Sequence, residues 1–306
     1  MLSWNNFIEI IENYDNIAIF RHQNPDGDAY GSQYGLASYL RLKFPNKKIA
    51  CYCDDHNNLV EYFHFNNDNI DTNYLNIVTD TANYERISGS INTNFPIIQI
   101  DHHPHIDNYA DYYIIDDSCS SCCQMIADYI MRYDNQIMNK TIANYLLCGM
   151  ISDTLSFSIN SVNASTLKIA SYLLEFSDSL DILNKNMFQQ SLNEYKIVSF
   201  IRSKAIFDSN IAYAIINWQD VLNFNSDVSV FKRFVNCFRF IDGIKIWAIF
   251  VENGQQLFDV SIRSDNIIIN DIAKKYNGGG HMFAAAMKNV FKDDIYSIIE
   301  LFKQKI

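Results

Sequence analysis

Ile17-Ala18-Ile19-Phe20 is a short, β-rich apolar run that leads directly into His22-Gln23-Asn24-Pro25-Asp26-Gly27-Asp28-Ala29 and then, through Gly31-Ser32, into a helix-like stretch. A strand that ends in a polar turn and continues as a helix is the building unit of parallel α/β sheets. In such sheets ligands gather beyond the carboxyl ends of the strands, and this is where His22, Asp26 and Asp28 fall. One imidazole and two carboxylates alternating around a tight turn can aim at one point and suit a divalent transition metal. Pro-Asp-Gly is also ordinary turn chemistry, and an aspartate here can simply cap a helix, so the segment needs other evidence before it means a metal site.

Working outward, Leu75-Asn76-Ile77-Val78 and Ile97-Ile98-Gln99-Ile100 repeat the short apolar run, with helix-length segments between several such runs. The expected fold of this half is therefore α/β with a parallel sheet. Asp80 follows the first of these runs in Thr79-Asp80-Thr81-Ala82-Asn83, and alone it reads as a helix cap. Asp101-His102-His103 follows the second, and adjacent histidines bring neither turn geometry nor good capping, which points to metal or phosphate. In Gly149-Met150-Ile151-Ser152-Asp153-Thr154 a helix-like stretch ends on one aspartate among hydroxyls, by itself another cap. Four such ends presenting His or Asp together predict a dinuclear site, in which two cations hold hydroxide and phosphoryl oxygens. Mixed imidazole and carboxylate ligation favours two Mn²⁺, with Co²⁺ or Mg²⁺ as substitutes.

Further along, 141–150, 164–176 and 192–204 read as helices, with Ser177-Asp178-Ser179 as a turn. The predicted division is a catalytic domain over 1–180, a helical linker over 181–204 and a smaller mixed α/β domain over 205–306. In the last, 212–217, 244–252 and 257–263 read as strands, and 271–276 and 293–303 as helices. Ser261-Ile262-Arg263-Ser264 ends a strand, and Gly278-Gly279-Gly280-His281 follows a helix carrying Lys274 and Lys275. Consecutive glycines let backbone N–H groups approach an anion, and a guanidinium grips phosphate bidentately, so Arg263, the glycines and His281 form a candidate phosphate clamp.

The 306 residues carry 24 basic and 35 acidic side chains, and a net charge of -11 repels long polyanions where no local basic patch overrides it. A small anionic substrate fits better than duplex DNA, and no basic stripe with stacking aromatics argues for long single strands. The seven cysteines offer one CxxC spacing, Cys119 and Cys122, with no second to complete a zinc site, so reduced thiols are expected. No apolar run approaches the roughly 18 residues of a membrane span, and the expectation is a soluble cytoplasmic protein with no membrane partner.

The motifs in combination resemble the DHH/DHHA1 phosphoesterases, and within them the type that degrades very short oligoribonucleotides and dephosphorylates 3'-phosphoadenosine 5'-phosphate (pAp). His22, Pro25, Asp26, Asp28, Ala29, Gly31 and Ser32 match the first family motif, Asp80 to Asn83 the second, and Asp101, His102 and His103 the trio that names the family. The resemblance spans nearly the whole chain. It implies that His22 and Asp26 bind one metal, that Asp28, His102 and Asp153 bind the other, and that Asp80 bridges them. It further implies that His103 faces the phosphate while Asp101 orients the histidines. The Gly278–His281 element and Arg263 would hold the nucleotide across a cleft between domains. Implied substrates are short RNA or DNA oligonucleotides and pAp, with pApA or cyclic di-AMP as the alternative, and family analogy favours a homodimer. A catalytically silent nucleotide-binding protein is disfavoured because no ligand position is broken. Leu155 and Ala286 depart from the family by standing where glycine is common.

Overall fold

The computed structural model describes residues 2–306 and divides into two compact units, 1–189 and 190–306. In the first, helix α1 (Trp4–Glu12) precedes strand β1 (Asn16–His22), helix α2 (Gly27–Lys43), and strands β2 (Lys48–Cys51), β3 (Leu75–Thr79), β4 (Ile87–Ser88), β5 (Ile97–Asp101) and β6 (Tyr112–Ile115). Helices α3 (Cys122–Tyr133), α4 (Lys140–Asp153), α5 (Ala164–Leu174) and α6 (Leu180–Phe188) complete it. The sheet runs in the order β2-β1-β3-β5-β6, all parallel, with the short β4 antiparallel to the end of β1.

Every residue of β1, β3 and β5 is buried, which explains the continuous apolar runs: strands covered on both faces have no solvent side to alternate with. Ile17, Ile19, Leu75, Ile77, Ile98 and Ile100 point into the core shared with the helices, while Ala18, Phe20, Val78 and Ile97 face a second core beneath the segments carrying Ile87 and Ala110. Each fully buried aliphatic side chain of this kind stabilises by about 1.5–3 kcal/mol.

Helix α2 packs against α4 at close range because glycines line the contact. A Cβ on Gly31 would lie 2.4 Å from the Tyr145 carbonyl oxygen, and one on Gly27 would lie 2.5 Å from the Ser152 Cβ. Such distances are below any real carbon contact, so the packing requires glycine there.

The second unit begins with helix α7 (Leu192–Ser203), so the predicted linker is two helices, α6 belonging to the first unit and α7 to the second. Next come β7 (Ile206–Asp208), β8 (Ile211–Ile216), helices α8 (Trp218–Asn223) and α9 (Val228–Arg233), β9 (Ile246–Glu252), β10 (Leu257–Ser264), helix α10 (Asn270–Lys275), β11 (Gly279–His281), β12 (Ala284–Phe291) and helix α11 (Asp294–Lys305). The sheet order is β11-β12-β10-β9-β8-β7, antiparallel except for the parallel pair β8 and β9. The glycine run is not a free loop: Gly279–His281 forms an edge strand paired with Ala284–Ala286. Its small residues hid that strand from a reading based on apolar runs. Among the described residues, no helix is long and apolar enough to cross a membrane.

Candidate metal centre

The turn after β1 is built as the sequence suggests, and Asp26 serves twice. Its Oδ1 accepts the backbone N–H groups of Asp28 and Ala29, both at 3.0 Å, which makes it the N-cap of α2. The same oxygen lies 3.9 Å from His22 Nε2. His22 Nδ1 is 2.8 Å from the Gln23 carbonyl oxygen; donation to that acceptor leaves Nε2 with a lone pair facing the centre.

Asp80 stands at the middle. It is 2% exposed, and its backbone takes φ of 50°, a left-handed conformation that costs a non-glycine residue about 1–3 kcal/mol and marks functional strain. Its two oxygens face different histidines: Oδ2 lies 3.4 Å from His22 Nε2, and Oδ1 lies 3.5 Å from His102 Nε2. His102 Nε2 is also 3.2 Å from Asp153 Oδ2 and 3.8 Å from Asp28 Oδ2. His103 turns its Nδ1 to Asp101 Oδ1 at 2.7 Å, and the same oxygen accepts the His103 backbone N–H at 3.0 Å. The Asp101 carboxylate is itself held by Gln99 Nε2 at 3.2 Å.

Asp28 is fully buried and sits at the N-terminus of α3, where the backbone N–H groups of Cys122 and Cys123 donate to its two oxygens at 2.7 and 2.9 Å. A helix N-terminus stabilises a carboxylate through free amides and the helix dipole. The sequence reading weighed these cysteines only as thiols, whereas their amides make this contact. All seven cysteines are free. Gly149 leaves the room that Asp28 needs, since a Cβ there would come within 2.9 Å of Asp28 Oδ1 and 2.2 Å of Cys123 Sγ. Asp153 is the last residue of α4, where the helix dipole disfavours a negative charge, and the chain then runs through Leu155, Ser156 and Phe157 at φ of 46°, 58° and 62°. Leu155 thus occupies a backbone conformation that favours glycine.

The electrostatics describe a pocket with too much negative charge. Burial lifts Asp28 well above the usual carboxylate range, and the charges of Asp80 and Asp153 lift it further. Burial likewise raises Asp153 to about 6, although His102 draws it down. Burial pulls His22 down, but its hydrogen bond to Asp80 and the charge of Asp26 outweigh this and push it up to about 9. His102 and His103 are also raised against their burial, by Asp153 and Asp80 in the first case and by Asp101 and Asp80 in the second.

Three sets of side chains have ligand atoms within 4.8 Å of one another: His22, Asp26 and Asp80; Asp28, His102 and Asp153; and Asp80, His102 and His103. The donors are imidazole nitrogens and carboxylate oxygens, and Asp80 Oδ1 is buried yet accepts no hydrogen bond from any described residue. An orphaned anionic oxygen between imidazoles is what a metal ligand looks like without its metal. The residues therefore fit a metal, and all six positions singled out in the sequence as ligands come together.

In the second unit, Arg263 near the end of β10 pairs across the sheet with Ala284 of β12, which pairs in turn with His281 of β11. Directly paired residues share a face, so Arg263 and His281 flank Ala284 in one row, and Ser261, Ala286 and Gly279 form the next row. Arg263 donates to the Ile262 carbonyl at 2.8 Å, and among the described residues no carboxylate pairs with it. Burial lowers it to about 10. The glycines differ in what they do: a Cβ on Gly278 would meet the Ala286 carbonyl oxygen at 2.1 Å, one on Gly280 (φ 129°) the Ala284 carbonyl oxygen at 2.5 Å, and one on Gly279 nothing within 4 Å.

Comparison with known proteins agrees with this picture. Residues 16–150 match the model of the DHH family N-terminal domain, and residues 208–306 match that of the DHHA1 domain. A Bacillus subtilis protein named bifunctional oligoribonuclease and PAP phosphatase NrnA is 34% identical over 91% of this chain and 90% of its own length. A Streptococcus mutans protein named probable bifunctional oligoribonuclease and PAP phosphatase NrnA is 32% identical over 97% of each chain. Among solved structures, an exopolyphosphatase-related protein from Bacteroides fragilis superposes with a TM-score of 0.83 at 21% identity, covering 98% of this chain and 94% of that one, which speaks to the fold alone. With both family models matched and about a third of its residues shared with these relatives, the chain belongs to the DHH/DHHA1 phosphoesterases, a family of hydrolases.

Proposed function

We propose that this chain is a two-metal, manganese-dependent phosphoesterase that hydrolyses dinucleotides and other very short oligonucleotides to mononucleotides, and pAp to AMP. The observation that carries this reading is the division of Asp80, whose Oδ2 faces His22 and whose Oδ1 faces His102. One carboxylate between two ligand sets suits two cations better than one.

In this reading His22, Asp26 and Asp80 hold one ion, and Asp28, His102 and Asp153 hold the other together with Asp80. Divalent cations there would supply Lewis acidity, making water acidic enough to lose a proton near neutral pH and offsetting charge on the phosphoryl oxygens. The imidazole and carboxylate donors favour Mn²⁺, with Co²⁺ or Mg²⁺ able to replace it. The chain itself orients the ligands. Gln23 fixes the His22 ring, the α3 amides fix Asp28, and Asp101 fixes His103, whose imidazolium form can donate from Nε2 to a phosphoryl oxygen. Arg263, with no carboxylate partner, binds the substrate's other phosphate, and the Ala284, Ala286, Ser261 and Gly279 floor admits a flat group without side-chain obstruction. His281, Gly278 and Gly280 complete that surface.

The names of the two relatives support the substrate class, oligoribonucleotides and PAP. The test is a side-by-side assay with Mn²⁺ of a dinucleotide, a longer RNA, pAp, pApA and cyclic di-AMP. Faster turnover of the dinucleotide and pAp is expected. A long single strand degraded faster than the dinucleotide, or cyclic di-AMP preferred to both, would overturn the assignment.

A further inference from the structure

Among the described residues Arg21 is the largest fully buried side chain, an arginine inside strand β1 between Phe20 and His22. Burying a guanidinium costs several kcal/mol unless it is paired and hydrogen-bonded, so its partners indicate its purpose. One amino group donates to the His22 carbonyl at 3.0 Å and to Asp55 Oδ1 at 3.2 Å; the other donates to the Asp55 carbonyl at 2.5 Å. The guanidinium lies over the Tyr30 ring, 4.6 Å from its centroid.

Asp55 extends this grip to the turn itself. Its Oδ2 accepts the backbone N–H of Asn24 at 2.5 Å, and Asn24 holds φ of 53°, a conformation that needs holding. Its Oδ1 accepts the Ser88 hydroxyl at 2.5 Å, and Ser88 lies in β4, whose Ile87 pairs with His22. Two residues on, the Asn57 amide donates to the Pro25 carbonyl at 2.6 Å. The backbone on both sides of His22, up to the residue before Asp26, is thus tied to segment 55–57, far away in sequence. Asp28 is held differently, by the α3 amides, and no hydrogen bond links it to Asp55 among the described residues.

We propose that Asp55, acting through Arg21 and Asn24, is a positioning residue that sets the affinity of one cation group, His22–Asp26–Asp80, and leaves Asp28–His102–Asp153 alone. This rests on the metal reading above and adds to it a hold on the backbone around His22 that is distinct from the α3 amides holding the Asp28 carboxylate. Loss of an outer partner of a metal ligand costs about 10–100-fold in metal affinity.

The experiment is a calorimetric titration of the metal-stripped full chain with Mn²⁺, paired with electron paramagnetic resonance at one and two equivalents, for wild type, D55N and D55A. Wild type should take up two ions and give a spin-coupled pair at two equivalents. D55N, which keeps the shape and removes the charge opposite Arg21, should bind one ion as wild type does and the other about 10–100-fold more weakly, leaving an isolated-ion signal. If D55A does not fold, D55N decides alone. Equal weakening of both ions, the mark of general loosening, overturns the proposal, as do unchanged affinities. A wild type that binds no Mn²⁺ overturns the metal reading and this proposal with it.

Discussion

The two units handle buried charge in opposite ways. The first gathers Asp26, Asp28, Asp80 and Asp153 around two histidines, whose ring pKa values the neighbouring carboxylates raise. The second places a half-buried Arg263 on a strand where, among the described residues, no carboxylate pairs with it, and surrounds it with alanine, serine and glycine. Stability alone favours neither arrangement, because unpaired buried charge costs free energy. The difference is informative: one unit is short of positive charge and the other of negative charge, which is the division of labour expected for binding metal and binding phosphate.

The contrast is broken most severely at Asp80. Asp80→Ala should lower hydrolysis of a dinucleotide by about three orders of magnitude, or about 4 kcal/mol of barrier, while circular dichroism stays native. Activity near wild type would mean that the bridging position is misassigned. Chelation should act almost as strongly, abolishing turnover until Mn²⁺ is restored, and calorimetry should find two ions per chain. Arg263→Gln should be milder and of another kind: losing charge-assisted hydrogen bonds costs about 1.5–3 kcal/mol, so KM for pAp should rise about 10–100-fold with Mn²⁺ affinity unchanged. A fall in metal binding instead would erase the distinction between the units.

The smallest effects separate the glycines. Gly278→Ala forces a methyl against the Ala286 carbonyl and should lower Tm by several degrees. Gly279→Ala meets nothing and should leave stability within about 0.5 kcal/mol, so any rise in KM there reports on substrate approaching the backbone. An unchanged KM would assign the run to strand packing alone.

The parallel sheet was legible because fully buried strands are continuous apolar runs, and the candidate ligands His22, Asp80 and His102 stand at or just after the ends of β1, β3 and β5. Strand β6, only partly buried, and β11, built of glycine, lack that signature. Asp80 and Asp153 each read alone as a helix cap, and only the number of such ends raised the expectation that they converge. What supports them was not legible. Arg21 drew no reading from the sequence, and nothing in the sequence ties it to Asp55, 34 positions on. The contacts of the α3 N-terminus with Asp28 are made by backbone amides, which residue identities do not encode.

Because helix α3 supplies two amides to Asp28, the polypeptide's own backbone fixes the direction of this carboxylate. That separates this architecture from small metal-nucleated modules, in which the ion is itself the organising core. On the proposed metal reading, stripping the metal should therefore leave the fold in place, and circular dichroism of the metal-free chain should match that of the reloaded one.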